Sequence, residues 1–152
     1  MPRNRRHTPV GSGVREDRVF VDSSAWIALF SARDQYHTVA DRTFRRLVER
    51  RITILTTNLV LAEVHRLLLF RAGVRAALAA IDRIEASRLV RLEFPETSHH
   101  RSARAWLEKL SGHNISYADA VSMAVMDSSQ CNQVATFDQG FVIAGFELVR
   151  WA

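Results

Sequence analysis

Residues 18–30 read Arg18-Val19-Phe20-Val21-Asp22-Ser23-Ser24-Ala25-Trp26-Ile27-Ala28-Leu29-Phe30. A short β-rich run ends at an aspartate. Ser23 or Ser24 is placed to cap the next stretch, an apolar run over 25–30 at helical length. A strand that passes into a helix through an acidic turn is the first half of a strand–helix–strand unit.

The rest of the chain repeats that alternation. Ala40, Phe44, Leu47 and Val48 fall at helical spacing. Residues 52–55 predict a second strand ending at Thr56-Thr57. Asn58 is then placed to cap a helix with Val60, Val64, Leu67 and Leu68 on one face, stopping at Gly73. Val74, Ala77, Leu78, Ile81 and Ile84 mark another helix, and 89–94 a third strand closed by Pro95. Ala103, Trp106, Leu107 and Leu110 share the face of a helix that ends near Gly112. Ser116 caps a helix carrying Val121, Ala124 and Val125, and strands are expected over 133–136 and 146–149. Every strand-to-strand connection is long enough for a crossover. The class is therefore α/β, a parallel sheet with helices on both faces.

The 152 residues suit one domain, and 47% hydrophobic residues suffice for a core. Cys131 is the only cysteine, which excludes an internal disulfide and a cysteine-based metal site. No apolar run approaches the roughly 20 residues of a membrane helix. The best one, 19–30, is broken by Asp22, Ser23 and Ser24. Arg5-Arg6 is followed by no clean apolar segment or cleavage site, so the chain reads as cytoplasmic. A net charge of +5 suggests a polyanionic partner. Residues 1–18, however, hold five arginines against Glu16 and Asp17, a net of +3, which leaves +2 for the remainder. Charge by itself does not decide the matter. Residues 1–17 show no periodicity and are expected to form a flexible basic tail ahead of a folded domain over 18–152.

Ligands of open parallel sheets bind outside the carboxyl ends of the strands. Asp22 follows the first strand there, and Asp138 lies just past the fourth. Glu63 is in the second turn of the helix after the second strand. Asp119 is in the first turn of its helix, three residues after Ser116. Singly, each has an ordinary explanation. Asp22 and Asp138 suit turns, Asp119 completes a Ser-x-x-Asp capping box, and Glu63 suits a solvated helix position. Together, four carboxylates in one cleft repel each other and raise one another's pKa unless a cation neutralises them. Mg2+ or Mn2+, which prefer oxygen ligands, would do so and would activate water against a phosphodiester.

The stretches Phe20-Val21-Asp22-Ser23-Ser24-Ala25-Trp26, Thr57-Asn58-Leu59-Val60-Leu61-Ala62-Glu63-Val64, Tyr117-Ala118-Asp119-Ala120-Val121 and Ala135-Thr136-Phe137-Asp138-Gln139-Gly140-Phe141 resemble the PIN-domain family, with its four acidic positions in order. The resemblance covers about residues 18–150. It implies a five-stranded parallel sheet of order 3-2-1-4-5. It implies that Asp22, Glu63, Asp119 and often Asp138 hold one or two Mg2+ or Mn2+ ions, with Ser23 and Thr136 supporting them by hydrogen bonds. It also implies RNA hydrolysis that leaves 5′-phosphate and 3′-hydroxyl ends. Size and motif flavour are most similar to VapC-type toxins, which implies a homodimer restrained by an antitoxin protein. The basic extension departs from that pattern.

Other residues point elsewhere. His99-His100 reads as a solvated pair, and His37 and His65 as structural or exposed. Trp26, Trp106 and Trp151 read as core or interface, Met123 and Met126 as helix packing, and Asp127 as solvent-facing. A haloacid-dehalogenase-type phosphatase would need a second aspartate two residues after Asp22, where Ser24 stands. A receiver domain would need an acidic pair at the first strand and a lysine after a late strand; Lys109, the only lysine, lies in a helix. A PIN-like module that binds RNA or protein without cleaving stays open.

Overall fold

A computed structural model describes residues 17–152. The expectation of a basic tail therefore lies, apart from Asp17, outside the described residues. The elements run β1 (Arg18–Val21), α1 (Ser23–Phe30), α2 (His37–Glu49), β2 (Thr53–Thr57), α3 (Asn58–Ala72), α4 (Val74–Ala86), β3 (Val90–Glu93), α5 (Thr97–Lys109), α6 (Tyr117–Ser128), β4 (Gln133–Ala135), α7 (Gly140–Ile143) and β5 (Glu147–Leu148). The sheet order is β3-β2-β1-β4-β5, and every pairing is parallel. This is the order that the family resemblance implies.

β1 is central, with Phe20 opposite Leu55 on one side and Val134 on the other. A strand covered on both faces must be apolar throughout. Phe20 and Val21 are fully buried. Phe141 of α7, also fully buried, lies with its ring 6.3 Å from that of Phe20. Truncating such a side chain costs about 3–5 kcal/mol. The core continues through Val60, Val64 and Leu68 of α3, and Val121, Met123, Val125 and Met126 of α6.

Local chemistry differs from the sequence expectation at several boundaries. α1 begins at Ser23 with Asp22 as its N-cap, and neither serine caps it by side chain. Both hydroxyls are committed instead to partners on α3 and at the end of β4. Thr57, not Asn58, caps α3, accepting the Val60 N–H at 3.2 Å. β2 starts at Thr53, one residue after the expected Ile52, and ends at Thr57, within the expected Thr56-Thr57 end. The short helix α7 is absent from the sequence reading, because four residues cannot display a helical period. The fifth strand is two residues rather than four. Gly73 stops α3 as expected. Its φ of +91° lies in the region side chains disfavour, and this lets α3 double back directly into α4.

A candidate acidic active site at the carboxyl edge of the sheet

Asp22 sits where β1 ends, next to the end of β4, and its N–H donates to the Ala135 carbonyl at 3.1 Å. That bond extends the β1–β4 ladder by one residue and fixes the aspartate at the sheet edge. The residue is only 3% exposed. Burial pushes its carboxyl from the ordinary 3.8 up to about 7. The nearby Asp119 and Glu63 charges add to the rise, while the Ser23 N–H and the Thr136 hydroxyl oppose it.

Glu63 reaches the same place from the second turn of α3, half-buried, with Oε2 accepting the Ser23 hydroxyl at 2.9 Å. Asp119 enters from the first turn of α6. Ser116 caps that helix and accepts the Asp119 N–H at 3.1 Å, so the capping expectation holds. Burial, then the Asp138 and Glu63 charges, raise the Asp119 carboxyl to about 6 against hydrogen bonding from Ser116. Asp138, exposed, lies beyond β4, and its Oδ1 accepts the Gly140 N–H at 3.1 Å. All four acids therefore belong to one electrostatic cluster supplied by four separate elements. Among the described residues, no three acidic, histidine or cysteine side chains are already drawn into a single metal-gripping group.

Two hydroxyls organise the β4 side. Thr136, buried, donates to Asp22 Oδ2 at 3.0 Å and accepts the Asp138 N–H at 3.0 Å. Ser24 accepts the Phe137 N–H at 2.9 Å and lies 3.4 Å from Asp22 Oδ2 and 3.3 Å from Thr136 Oγ1. The sequence reading missed Ser24 as a site residue. Its position beside Asp22 marks it as a neighbour of the site, but which of Ser23 and Ser24 turns toward the loop after β4 is set by the fold. Behind the site, Trp26 Nε1 donates to Thr56 Oγ1 at 3.4 Å, and Thr56 donates to the Val21 carbonyl at 3.1 Å.

The remaining residues fall outside the cluster. His99 closes the α5 capping box by accepting the Glu96 N–H at 2.9 Å, and His100 pairs with the Tyr117 hydroxyl at 2.8 Å. His37 Nδ1 bonds the Ala28 carbonyl at 2.8 Å, a structural role. Trp26 is core, Met123 and Met126 are buried packing, and exposed Asp127 accepts the Trp106 indole N–H at 3.1 Å. Trp151 stacks on Phe137 with ring centroids 4.3 Å apart.

Comparison with known proteins agrees with this architecture. A sequence profile of the PIN domain matches residues 19–147. The 23S rRNA-specific endonuclease VapC20 of Mycobacterium tuberculosis is 37% identical over 132 residues, which span 87% of this chain and 98% of that protein. The crystal structure of VapC20, described as a Sarcin-Ricin loop cleaving toxin, superposes with a TM-score of 0.77 over the same shares. VapBC2 from Rickettsia felis, bound to a promoter DNA fragment, gives a TM-score of 0.66 at 13% identity, covering 89% of this chain and 99% of that one. FitAcB from Neisseria gonorrhoeae gives 0.62 at 16% identity, covering 87% and 96%. At those identities the last two speak for the fold alone.

Proposed function

The chain belongs to the PIN-domain family, and from that premise we propose that it is a metal-dependent endoribonuclease, the toxin of a toxin–antitoxin pair. The observation that carries this reading is the convergence of Asp22, Glu63, Asp119 and Asp138, from four elements, into one cluster whose buried member has its pKa pushed up to about 7. A fold that needs only stability has no use for such a group, because each like charge added to the edge raises the free energy of the others.

The donor set fits a hard divalent cation such as Mg2+ or Mn2+: the acids offer only oxygen, and they carry charge that wants neutralising. Asp22, Glu63 and Asp119 would hold it with Asp138 alongside, and a bound cation supplies a more acidic water and charge compensation at the phosphodiester. The chain's own contribution is preorganisation. Thr136 and the Ser23 N–H orient Asp22, the Ser23 hydroxyl orients Glu63, and Ser116 anchors Asp119 at the positive end of α6. Ser24 and Thr136 hold the backbone of the loop that presents Asp138. The acids are thus placed before substrate arrives, which spares reorganisation during reaction.

The assignment as a toxin rests on VapC20, whose length this chain spans almost completely. Its stated target makes the sarcin–ricin loop of 23S rRNA the first substrate to assay. The site is acidic, so a basic antitoxin segment is the expected inhibitor, and a homodimer in the cytoplasm is the expected resting form. Among the described residues, no helix is long and apolar enough to cross a membrane. The test is to induce the protein in bacteria beside its Asp22→Asn variant and map breaks in 23S rRNA by primer extension. A discrete break that arrests growth and is absent with the variant supports the reading. Growth and rRNA unchanged by either form, at equal soluble expression, would count against it.

A further inference from the structure

Three aromatic rings form a column at the rim of the acidic site. Tyr36 stacks on Phe137 with centroids 4.1 Å apart and planes 7° from parallel. Phe137 stacks in turn on Trp151 at 4.3 Å and 13°. A near-parallel column is the arrangement that nucleobases extend.

The column is tied to the acids through the chain itself. Phe137 lies between Thr136, bonded to Asp22, and Asp138, and its N–H is held by Ser24. Its inner end, Trp151, is half-buried, whereas Tyr36 at the other end is 41% exposed. The Tyr36 backbone is nonetheless fixed, and its ring is held by the stack on Phe137. Its N–H donates to Asp34 Oδ1 at 2.8 Å, and its carbonyl accepts the Ala40 N–H in the first turn of α2. A large, exposed and immobilised ring offers stacking area at little entropic cost.

Tyr36 and Phe137 line a cavity of about 220 Å3 together with Ser23, Ser24 and Arg71. Arg71, Asp34 and Gln35 also line the next cavity along, of about 980 Å3, where Arg33 and Arg83 join them. The two hollows adjoin through Asp34, Gln35 and Arg71; together they mark a path that begins beside the acidic site, at Ser23, Ser24 and Phe137, and runs past Tyr36 toward Arg33 and Arg83. Among the described residues, Arg33 and Arg71 enter no ion pair, and Arg83 lies over the Phe30 ring at 5.0 Å. Asp34 is the one acid on this path, and its Oδ1 is occupied by the Tyr36 N–H.

We infer that this path holds the RNA strand on one side of the cleaved bond, with one unpaired base stacked on Tyr36 and the adjoining phosphates met by Arg71 and Arg33. The inference rests on the ribonuclease reading for the position of the cleaved bond, but not for the binding. Unpaired bases splayed onto aromatic side chains are the usual means by which proteins read RNA loops. Flat rings beside uncommitted guanidiniums suit that chemistry better than they suit a basic protein segment, which Arg33 and Arg71 would repel.

The test uses full-length Asp22→Asn protein, so that binding is read without cleavage. Sarcin–ricin-loop RNA hairpins carry 2-aminopurine at each loop position in turn. Binding should quench the fluorophore at one position in particular. Tyr36→Leu should abolish that quench and weaken binding about tenfold, while Tyr36→Phe keeps both. Arg71→Gln should lower the salt dependence of binding by about one phosphate contact. The inference is overturned if Tyr36→Leu, folded by circular dichroism and cooperative thermal unfolding, keeps the quench and the affinity. It is equally overturned if the hairpins do not bind at all, or if a basic peptide competes for the site while RNA does not. Active-site failure is read separately: parent protein that binds with a Tyr36-dependent quench but cleaves nothing in Mg2+ or Mn2+ would sink the ribonuclease reading and leave the binding path standing.

Discussion

The hydroxyl of Thr136 joins Asp22 to Asp138: it donates to Asp22 Oδ2 at 3.0 Å and accepts the Asp138 N–H at 3.0 Å. One side chain thus sets the carboxylate at the end of β1 against the backbone of the loop after β4. Thr136→Val keeps the shape and removes both bonds. It should cost about 1–3 kcal/mol of stability by urea unfolding, because a donor and an acceptor lose their partners. RNA cleavage should fall by about tenfold or more, and Thr136→Ser should recover most of it. Parental activity in a folded Thr136→Val protein would show that the hydroxyl has only a packing role.

The acidic cluster makes the stability of metal-free protein depend on pH. Asp22 is raised from 3.8 to about 7 and Asp119 to about 6, so the folded state binds more protons than the unfolded chain in that interval. Their stabilising contribution is present below about pH 4 and lost as pH rises through 6 to 7. In EDTA, stability should fall between about pH 5 and pH 8 by an amount of order a few kcal/mol. Mn2+ should restore it at the upper end, and Asp22→Asn should flatten the slope. Thermal unfolding across that range, with and without Mn2+, checks the sign; a metal-free stability that rises with pH there would contradict it.

Ser116 serves both the fold and the site. It caps α6 through the Asp119 N–H and also holds the Asp119 carboxyl below where burial alone would put it. Ser116→Ala should therefore cost about 1 kcal/mol. It should also weaken Mn2+ binding more at about pH 6 than at about pH 8, since Asp119 would keep its proton longer. Calorimetric titration at the two pH values separates this from a loss of stability alone, which would weaken binding equally at both.

How far the sequence carries depends on the residue. The β1 run and the amphipathic helices were legible because burial imposes a period, and the sheet order came from the family likeness of four short motifs. Asp22, Glu63, Asp119 and Asp138 could be named because strand ends and helix starts are where a parallel sheet places its ligands. The contacts that position them were less visible. Ser23 was expected to support the site, and its hydroxyl donates to Glu63, whereas that of Ser24, its neighbour, holds the β4 loop. Nothing in Asp-Ser-Ser says which hydroxyl turns which way. The cap of α3 is Thr57 rather than Asn58: Thr57 still pairs with Glu93 as the last residue of β2, and its hydroxyl accepts the Val60 N–H. The column of Tyr36, Phe137 and Trp151 brings Tyr36 against residues more than a hundred positions away and follows no periodic rule.

If the four carboxylates form one metal-dependent ribonuclease site, RNA cleavage depends on them and on the cation together. The most direct measurement is the cleavage rate of a sarcin–ricin-loop RNA by purified, partner-free protein in Mg2+ or Mn2+, beside Asp22→Asn, Asp119→Asn and an EDTA control. Cleavage should require the metal and fall by at least about a hundredfold in each variant. Cleavage that survives EDTA, or that persists in both variants, would contradict the metal-dependent site.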